Sequence, residues 1–387
     1  MSVRAVPEAD WEQAAALAQE AFGSFEDTSR WSASLAHSHA VGAYDGGRLV
    51  SFARVKPYEQ WFGGRAVPMG GIASVAVAAT HQRRGLARET VAATLPVLRE
   101  QGLAVSALFP ATTPLYRGLG WEHAGDYTWL DVPGALLRAL GPVEGVTLRP
   151  ATEADLPGVF AAYDAVCRDT NGLLARRGPF FDLRPETVLG VASFLVADGE
   201  SGIEGWTRAD RRHAGHHVDV EAWDVVATTR AAARALWFAL GAGASTVKTV
   251  RAKAYADDLL PHLAEPEVTV HEHLRWMLRL ADAPAAVAAR GWPAGLRTAV
   301  DLDVTDEQVP DGAGHWRLTV EDGNGTLTRG GDGTVALGIG ALSALYSGYA
   351  DPRTLRRAGL LSCADDDALD TLAAMTAGPR PRLLDYF

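Results

Sequence analysis

The sequence predicts an α+β protein: two successive copies of one strand–turn–helix unit, followed by a third segment of different character. Three observations carry this. The run Val75 to Arg88 switches from strand to helix periodicity across a basic, glycine-containing turn, its surroundings are echoed further along the chain, and the end of the chain places strands before helices. At 387 residues the chain also exceeds what one ordinary core supports. We read residues 1–142, 146–282 and 296–387 as three units. Gly141-Pro142-Val143-Glu144-Gly145 and the Ala-, Pro- and Gly-containing stretch Pro284 to Gly295 read as the links between them.

In the first unit, Val75-Ala76-Val77-Ala78-Ala79 is short, apolar and suited to a strand, and Leu86, Val91, Leu95 and Leu98 recur at helical spacing. Between them, the backbone N–H groups of Arg83 to Ala87 open a helix and leave donors unsatisfied at the positive end of its dipole. Such a turn seats phosphate. Gly85 has no Cβ to hold a ligand off, Ala87 is small, and Arg83 and Arg84 bring charge. Further on, Leu103 to Phe109 reads as a strand, and Thr112 to Trp121 as a short capped helix ending at Gly120.

The second unit repeats this plan. Val3-Arg4 followed by Glu8-Ala9-Asp10 and an Ala-rich helix returns as Leu148-Arg149 followed by Glu153-Ala154-Asp155 and another such helix. Val218 to Ala231 then stands where the first basic turn stood, but without its glycine, and Glu122-His123 is matched by Glu272-His273. The second copy therefore keeps the fold and loses the phosphate seat. In the third unit, Leu296–Leu302, His315–Val320, Gly325–Arg329 and Thr334–Ile339 alternate as strands, with a turn at Asp322-Gly323-Asn324-Gly325. Helices follow at Gly340–Tyr349, Pro352–Ala358 and Asp365–Ala377, and the whole resembles a sterol-carrier-type domain.

Composition narrows the partners. Forty-seven acidic residues against 36 basic give a net charge of −11, which opposes nucleic acid and favours a cationic small molecule if the acids gather at a mouth. The longest apolar runs are broken by charge or glycine, so no membrane span is expected. Met1 to Asp10 has no apolar core of an export signal, and Cys167 and Cys363 stand apart, which suits a reducing cytoplasm. His37, His39, His81, His213, His216 and His217 are spaced too irregularly for a metal site.

The pattern Gln82-x-x-Gly85-x-Ala87 resembles the acetyl-CoA signature of the GCN5-related N-acetyltransferases, and Tyr116-x-x-x-Gly120-Trp121 matches that family where its strands part around the cofactor. The resemblance implies that Val75, Ala76, Val77, Gln82, Arg83, Arg84, Gly85, Leu86, Ala87 and Arg88 hold acetyl-CoA as co-substrate. Acetyl transfer needs a neutral amine, a donor for the carbonyl oxygen and a proton for the departing thiolate. A backbone N–H at or beside Val77 supplies the donor if the strand bulges there, and Tyr116 is the acid.

Taken whole, the chain is similar to the enhanced intracellular survival (Eis) family: an acetyltransferase unit, a degenerate copy, and a sterol-carrier-like unit ending in an aromatic residue. That resemblance implies the C-terminal carboxylate of Phe387 as general base, Tyr116 as general acid, bulky cationic acceptors such as aminoglycosides, and a homo-hexamer. Direct transfer is expected, because no nucleophile is evident. Ser24, Phe25, Glu26 and Trp31 are the expected acceptor contacts. Ser24 stands where the family has an acid, and the penultimate residue is Tyr386, so acceptor recognition is expected to differ. The alternatives are a lipid carrier or scaffold with relic transferase units, and an acyltransferase acting on protein lysines.

Overall fold

A computed structural model describes residues 2–23, 28–190, 193–215, 217–242, 246–255, 259–263 and 268–387. The first segment supplies strands β1 (Ser2–Ala5), β2 (His39–Asp45), β3 (Arg48–Phe62), β4 (Arg65–Val77), β5 (Val105–Leu108) and β6 (Glu122–Pro133). The second supplies β7 (Thr147–Pro150), β8 (Ser193–Gly199), β9 (Gly202–Ala214), β10 (His217–Ala227), β11 (Val247–Lys253) and β12 (Thr269–Leu280). Among the described residues these twelve form one sheet, in the order β1-β2-β3-β4-β5-β12-β6-β11-β10-β9-β8-β7.

The sheet runs straight across the link at 141–145, because each unit gives its last strand to the other. β12 pairs with β5 of the first unit, and β6 pairs with β11 of the second. β6 and β12 then pair with each other, antiparallel, with Arg275 opposite Asp126 and Trp276 opposite Gly125 at the middle. The echoed Glu122-His123 and Glu272-His273 thus lie on neighbouring strands related by a local two-fold. Gly125 is required there, since a Cβ would come within 2.4 Å of the Trp276 indole. The exchange leaves neither unit an open edge at its centre.

The third segment forms a separate sheet of β13 (Arg297–Thr305), β14 (Gly314–Glu321), β15 (Asn324–Arg329), β16 (Val335–Gly338) and β17 (Leu361–Ser362), ordered β15-β14-β13-β16-β17. The expected hairpin turn is there: Asp322 and Gly323 have φ of 50° and 78°, the pair of positive values that a two-residue turn between twisted strands needs. The helices Ile339–Ser347, Pro352–Arg357 and Asp366–Thr376 follow, the last two capped by Asp351 and Asp365. Part of the stretch read as a link is instead the helix Ala283–Ala289. The Asp282 side chain caps it, and Pro284 sits in the first turn, where its missing N–H costs nothing.

The helix Ile339–Ser347 lies against the central strands, with the Leu280 N–H donating to Ser343 Oγ at 2.9 Å. A buried pair, Arg279 with Asp306 at 2.8 Å, also joins the two sheets. The cavity between Leu302, Leu318 and Leu345 measures about 10 Å³, at the lower limit for a single water. That cavity is too small for a lipid chain.

Candidate active site

β4 and β5 pair in parallel only from Met69 opposite Val105 to Gly71 opposite Ala107. Beyond Gly71 the strands part and a gap opens. In this stretch the register of β3 on β4 jumps, from Phe52 opposite Ala76 to Arg54 opposite Ala73, so that Ser74 and Val75 share one partner position. This is a β-bulge, and Ser74 takes φ 54° to make it. The bulge lies two residues before the expected position. Val77 sits in regular register opposite Ser51, so the redirected backbone belongs to Ser74–Val75.

The basic turn leads into the helix Leu86–Ala92, which resumes as Thr94–Glu100 after a break at Ala93. Pro96 explains the break, because it has no N–H to give the carbonyl of Ala92. Gly85 adopts φ 81°, Arg83 adopts φ 62°, and no side chain caps the helix start. Leu86, Val91, Leu95 and Leu98, the expected inward face, are all buried. Val75, Ala76 and Val77 on one side, and Gln82, Arg83, Gly85, Leu86, Ala87 and Arg88 on the other, enclose a cavity of about 540 Å³. Arg84 is the exception among the expected cofactor residues. It is exposed and turns back to donate to the Thr80 carbonyl at 3.3 Å, so it does not line this cavity. Arg88 Nη2 reaches the Gly118 carbonyl at 2.8 Å and ties the turn to the next helix.

That helix, Thr113–Arg117, carries Tyr116, whose side chain is buried with its hydroxyl unpartnered among the described residues. Burial, and then the nearby Tyr386, push its phenol above the usual value, so it stays protonated at neutral pH. The Tyr116 carbonyl accepts from the N–H groups of Leu119 and Trp121, closing the turn through Gly120 at φ 90°. Glycine is doubly required there, since a Cβ would lie 1.7 Å from the Arg279 guanidinium.

The last residues reach this place through the second unit. β10 and β11 part after Ala222 opposite Ala252, as β4 and β5 do, and the tail residues Arg382 and Leu384 line the cavity of about 330 Å³ beside the resulting gap. The Arg382 N–H donates to the Asn171 carbonyl and the Leu383 N–H to the Asp126 carbonyl, each at 2.9 Å. Lys253 Nζ donates to the Leu384 carbonyl at 2.8 Å, and Arg176 bridges Asp385 and the fully buried Asp224. The second copy of the basic turn holds no such seat for phosphate. Thr229 caps the helix Arg230–Gly241 by accepting from the Ala232 N–H, so a side chain takes one of the free donors. The glycine that is missing here is replaced by a cap, and the chain's own tail runs beside the gap above it.

The tail ends with the Phe387 ring over Gly71, where a Cβ would come within 2.8 Å of it, and between Tyr58 and Phe109 at 5.4 and 5.5 Å. Tyr386 stacks on Phe109 at 4.4 Å. A cavity of about 730 Å³ has Val75, Tyr116, Trp31 and Phe387 on its walls, so the bulge, the expected acid and the expected base face one space. A second cavity of about 1010 Å³ adjoins it and shares Trp31, Lys56, Tyr386 and Phe387 with it, extending to Tyr58, Phe180 and Phe181. Trp31 borders both, while Ser24, Phe25 and Glu26 lie outside the described residues.

Sequence reasoning missed Arg54, Lys56, Tyr58 and Phe180. The signal was present as two cations alternating in the otherwise apolar run of β3. The net charge of −11 is not gathered at this mouth. Its described acidic side chains, Asp182 and Asp385, pair with Arg184 and Arg176, whereas Arg54 and Lys56 make no ion pair with a carboxylate among the described residues.

A parted pair of parallel strands, a bulge beside the gap and a glycine-opened helix define a GCN5-related N-acetyltransferase. Models of acetyltransferase (GNAT) domains match residues 2–124 and 172–280, and a sterol carrier protein domain model matches 283–384. An uncharacterised N-acetyltransferase of Streptomyces avermitilis is 33% identical, covering 91% of this chain and 89% of its own. The N-acetyltransferase Eis of Mycobacterium tuberculosis is 27% identical over 97% and 96% of the two chains. A solved GCN5-related N-acetyltransferase from Kribbella flavida superposes with a TM-score of 0.88 at 33% identity, covering 100% of this chain and 98% of that one. The chain belongs to the Eis family of GCN5-related N-acetyltransferases, with two such folds, the second degenerate, and a sterol-carrier-like third unit.

Proposed function

We propose that this chain transfers the acetyl group of acetyl-CoA directly to an amine of a bulky small molecule, with Tyr116 as acid and the carboxylate of Phe387, the last residue of this sequence, as base. The observation that carries the reading is the single cavity shared by Val75, Tyr116 and Phe387. The turn suits a pyrophosphate: its helix start is uncapped, and where Gly85 lacks a Cβ the nearest atom is a Glu89 carboxylate oxygen at 3.8 Å. Bound along the gap, acetyl-CoA would supply the thioester.

The backbone at the Ser74–Val75 bulge presents its N–H where charge grows on the carbonyl oxygen. The Phe387 carboxylate takes a proton from the attacking amine. A phenol that burial raises above its usual range does not give its proton freely to a thiolate whose acid is near 8.5. Tyr116 therefore donates a hydrogen bond to the sulfur first, and passes the proton only as the carbon–sulfur bond breaks.

Tyr116→Phe and deletion of Phe387 are each expected to lower turnover about 100-fold, with acetyl-CoA affinity by calorimetry nearly unchanged. Unchanged turnover in both overturns the assignment. A screen of thiol release from acetyl-CoA, run over aminoglycosides, aromatic amines, amino acids and lysine peptides, identifies the acceptor class. Binding of acetyl-CoA itself separates an enzyme from a relic scaffold.

A further inference from the structure

Arg54, Lys56 and Tyr58 alternate along β3, so their side chains fall on one face, successive ones about 7 Å apart. Arg54 is only 4% exposed. Its Nη1 donates to Ser34 Oγ at 2.7 Å and its guanidinium lies over the Trp31 ring, but its buried Nε meets no acceptor. Lys56 stands opposite Gly71, the residue under the Phe387 ring, with its ammonium 5.3 Å from the centre of the Phe180 ring. It borders both the reaction cavity and the larger one beside it.

A buried guanidinium next to a half-buried ammonium, with no ion-paired carboxylate for either among the described residues, is an arrangement that folding opposes. The C-terminal carboxylate of Phe387 shares both cavities but makes no ion pair with Arg54 or Lys56, and the other charged groups there do not pair with the two cations either. Asp182 is bound to Arg184, Asp385 to Arg176 and His273 to Asp126, while His37, His123 and Arg275 add no negative charge. The walls between these charges are aromatic: Trp31, Tyr58, Phe180 and Phe181.

We propose that the acceptor is an amine bearing a carboxylate on an apolar body, an amino-acid-like molecule whose anionic group Lys56 and Arg54 hold beside the Phe387 end of the site. This rests on the acetyltransferase reading above and narrows its acceptor. The aromatic walls take the apolar body, the Lys56 ammonium takes the carboxylate as a charge-assisted hydrogen bond, and the buried Arg54 guanidinium behind it adds positive charge. A polycation such as an aminoglycoside meets like charge on this wall instead.

The test measures binding of two acetylated amines to the full chain in the presence of coenzyme A: N-acetylphenylalanine, which carries a carboxylate, and N-acetylphenethylamine, which does not. The expected result is at least about tenfold tighter binding of the former, lost in Lys56→Met and kept in Lys56→Arg. Equal binding of the two, tighter binding of the neutral compound, or a preference that survives Lys56→Met overturns the proposal. A role limited to polarising the thioester or to neutralising the amine would speed both acceptors alike, and so would leave the preference absent. Turnover of phenylalanine and phenethylamine is read alongside. Acetylation of phenethylamine with rejection of phenylalanine sinks the anion seat and keeps the transferase. Carboxylate-selective binding with no transfer to any amine keeps the seat and sinks the transferase.

Discussion

Burial holds the Lys56 ammonium down at about 8, and the Arg54 guanidinium beside it pushes the same way. A lysine lowered in this way is charged below pH 8 and neutral above it, so its grip on an anion is full on the acid side and fades as pH rises. Between pH 7 and 9.5 the affinity for N-acetylphenylalanine is expected to fall, while that for N-acetylphenethylamine stays flat and Lys56→Arg removes the dependence. Calorimetry across that range checks it. The groups facing Lys56 are Arg54 and Tyr58 on its own strand, His37 and the paired Asp182, Arg184 and Asp385 across the larger cavity, and the Phe387 carboxylate. Arg54, drawn down only to about 10, keeps its charge over most of this window. At this scale the sequence shows residues whose type is tied to backbone geometry, Gly85 and Gly120 among them. It does not show which way Arg54 and Lys56 point, since an alternating strand has two faces and only packing chooses between them.

The turn at Gly85 was legible because its chemistry is local: a left-handed residue, a helix start and small neighbours follow one another in the chain. Replacing Gly85 with Ala tests that geometry. The space is open, with Glu89 at 3.8 Å, so the strain comes from φ 81° alone, about 1 kcal/mol. As the turn relaxes, its N–H groups swing off the pyrophosphate. Acetyl-CoA affinity is expected to fall about fivefold to tenfold with little change in melting temperature, and an unchanged affinity would remove this turn from the site. The bulge was less legible. The sequence places it at or beside Val77 as a condition for an oxyanion donor, but its position depends on how β3 registers against β4, and the jump falls at Ser74–Val75.

At the scale of the molecule, the exchange of β6 and β12 welds two similar units into one sheet, and the third unit covers its centre. The Arg279–Asp306 pair sits at that junction, 0% and 3% exposed in its side chains. Burial pulls the guanidinium down and Asp306 holds it up. Asp306→Ala leaves an uncompensated buried cation and is expected to cost about 3–5 kcal/mol, seen as an earlier unfolding transition in a thermal melt. A melt like that of the unaltered chain would show that the third unit is held by its apolar contacts alone. The same assembly sets the proposed active site, because Phe387 arrives past the second unit's gap, its tail held by Lys253, Arg176 and Asn171.

The sequence by itself determined the repeated unit, the glycine-opened basic turn, the helix that carries Tyr116, the lost glycine of the second copy and the strand-then-helix order of the third unit. All of these are encoded by residues close together in the chain, where periodicity and turn chemistry act directly. Only the tertiary structure decided the exchange of last strands, the passage of the tail beside the second unit's gap, the turning away of Arg84 and the cationic wall of the cavity beside Phe387. Each of these depends on which distant segments bury one another, and pairing across the fold is set by the packing of whole faces.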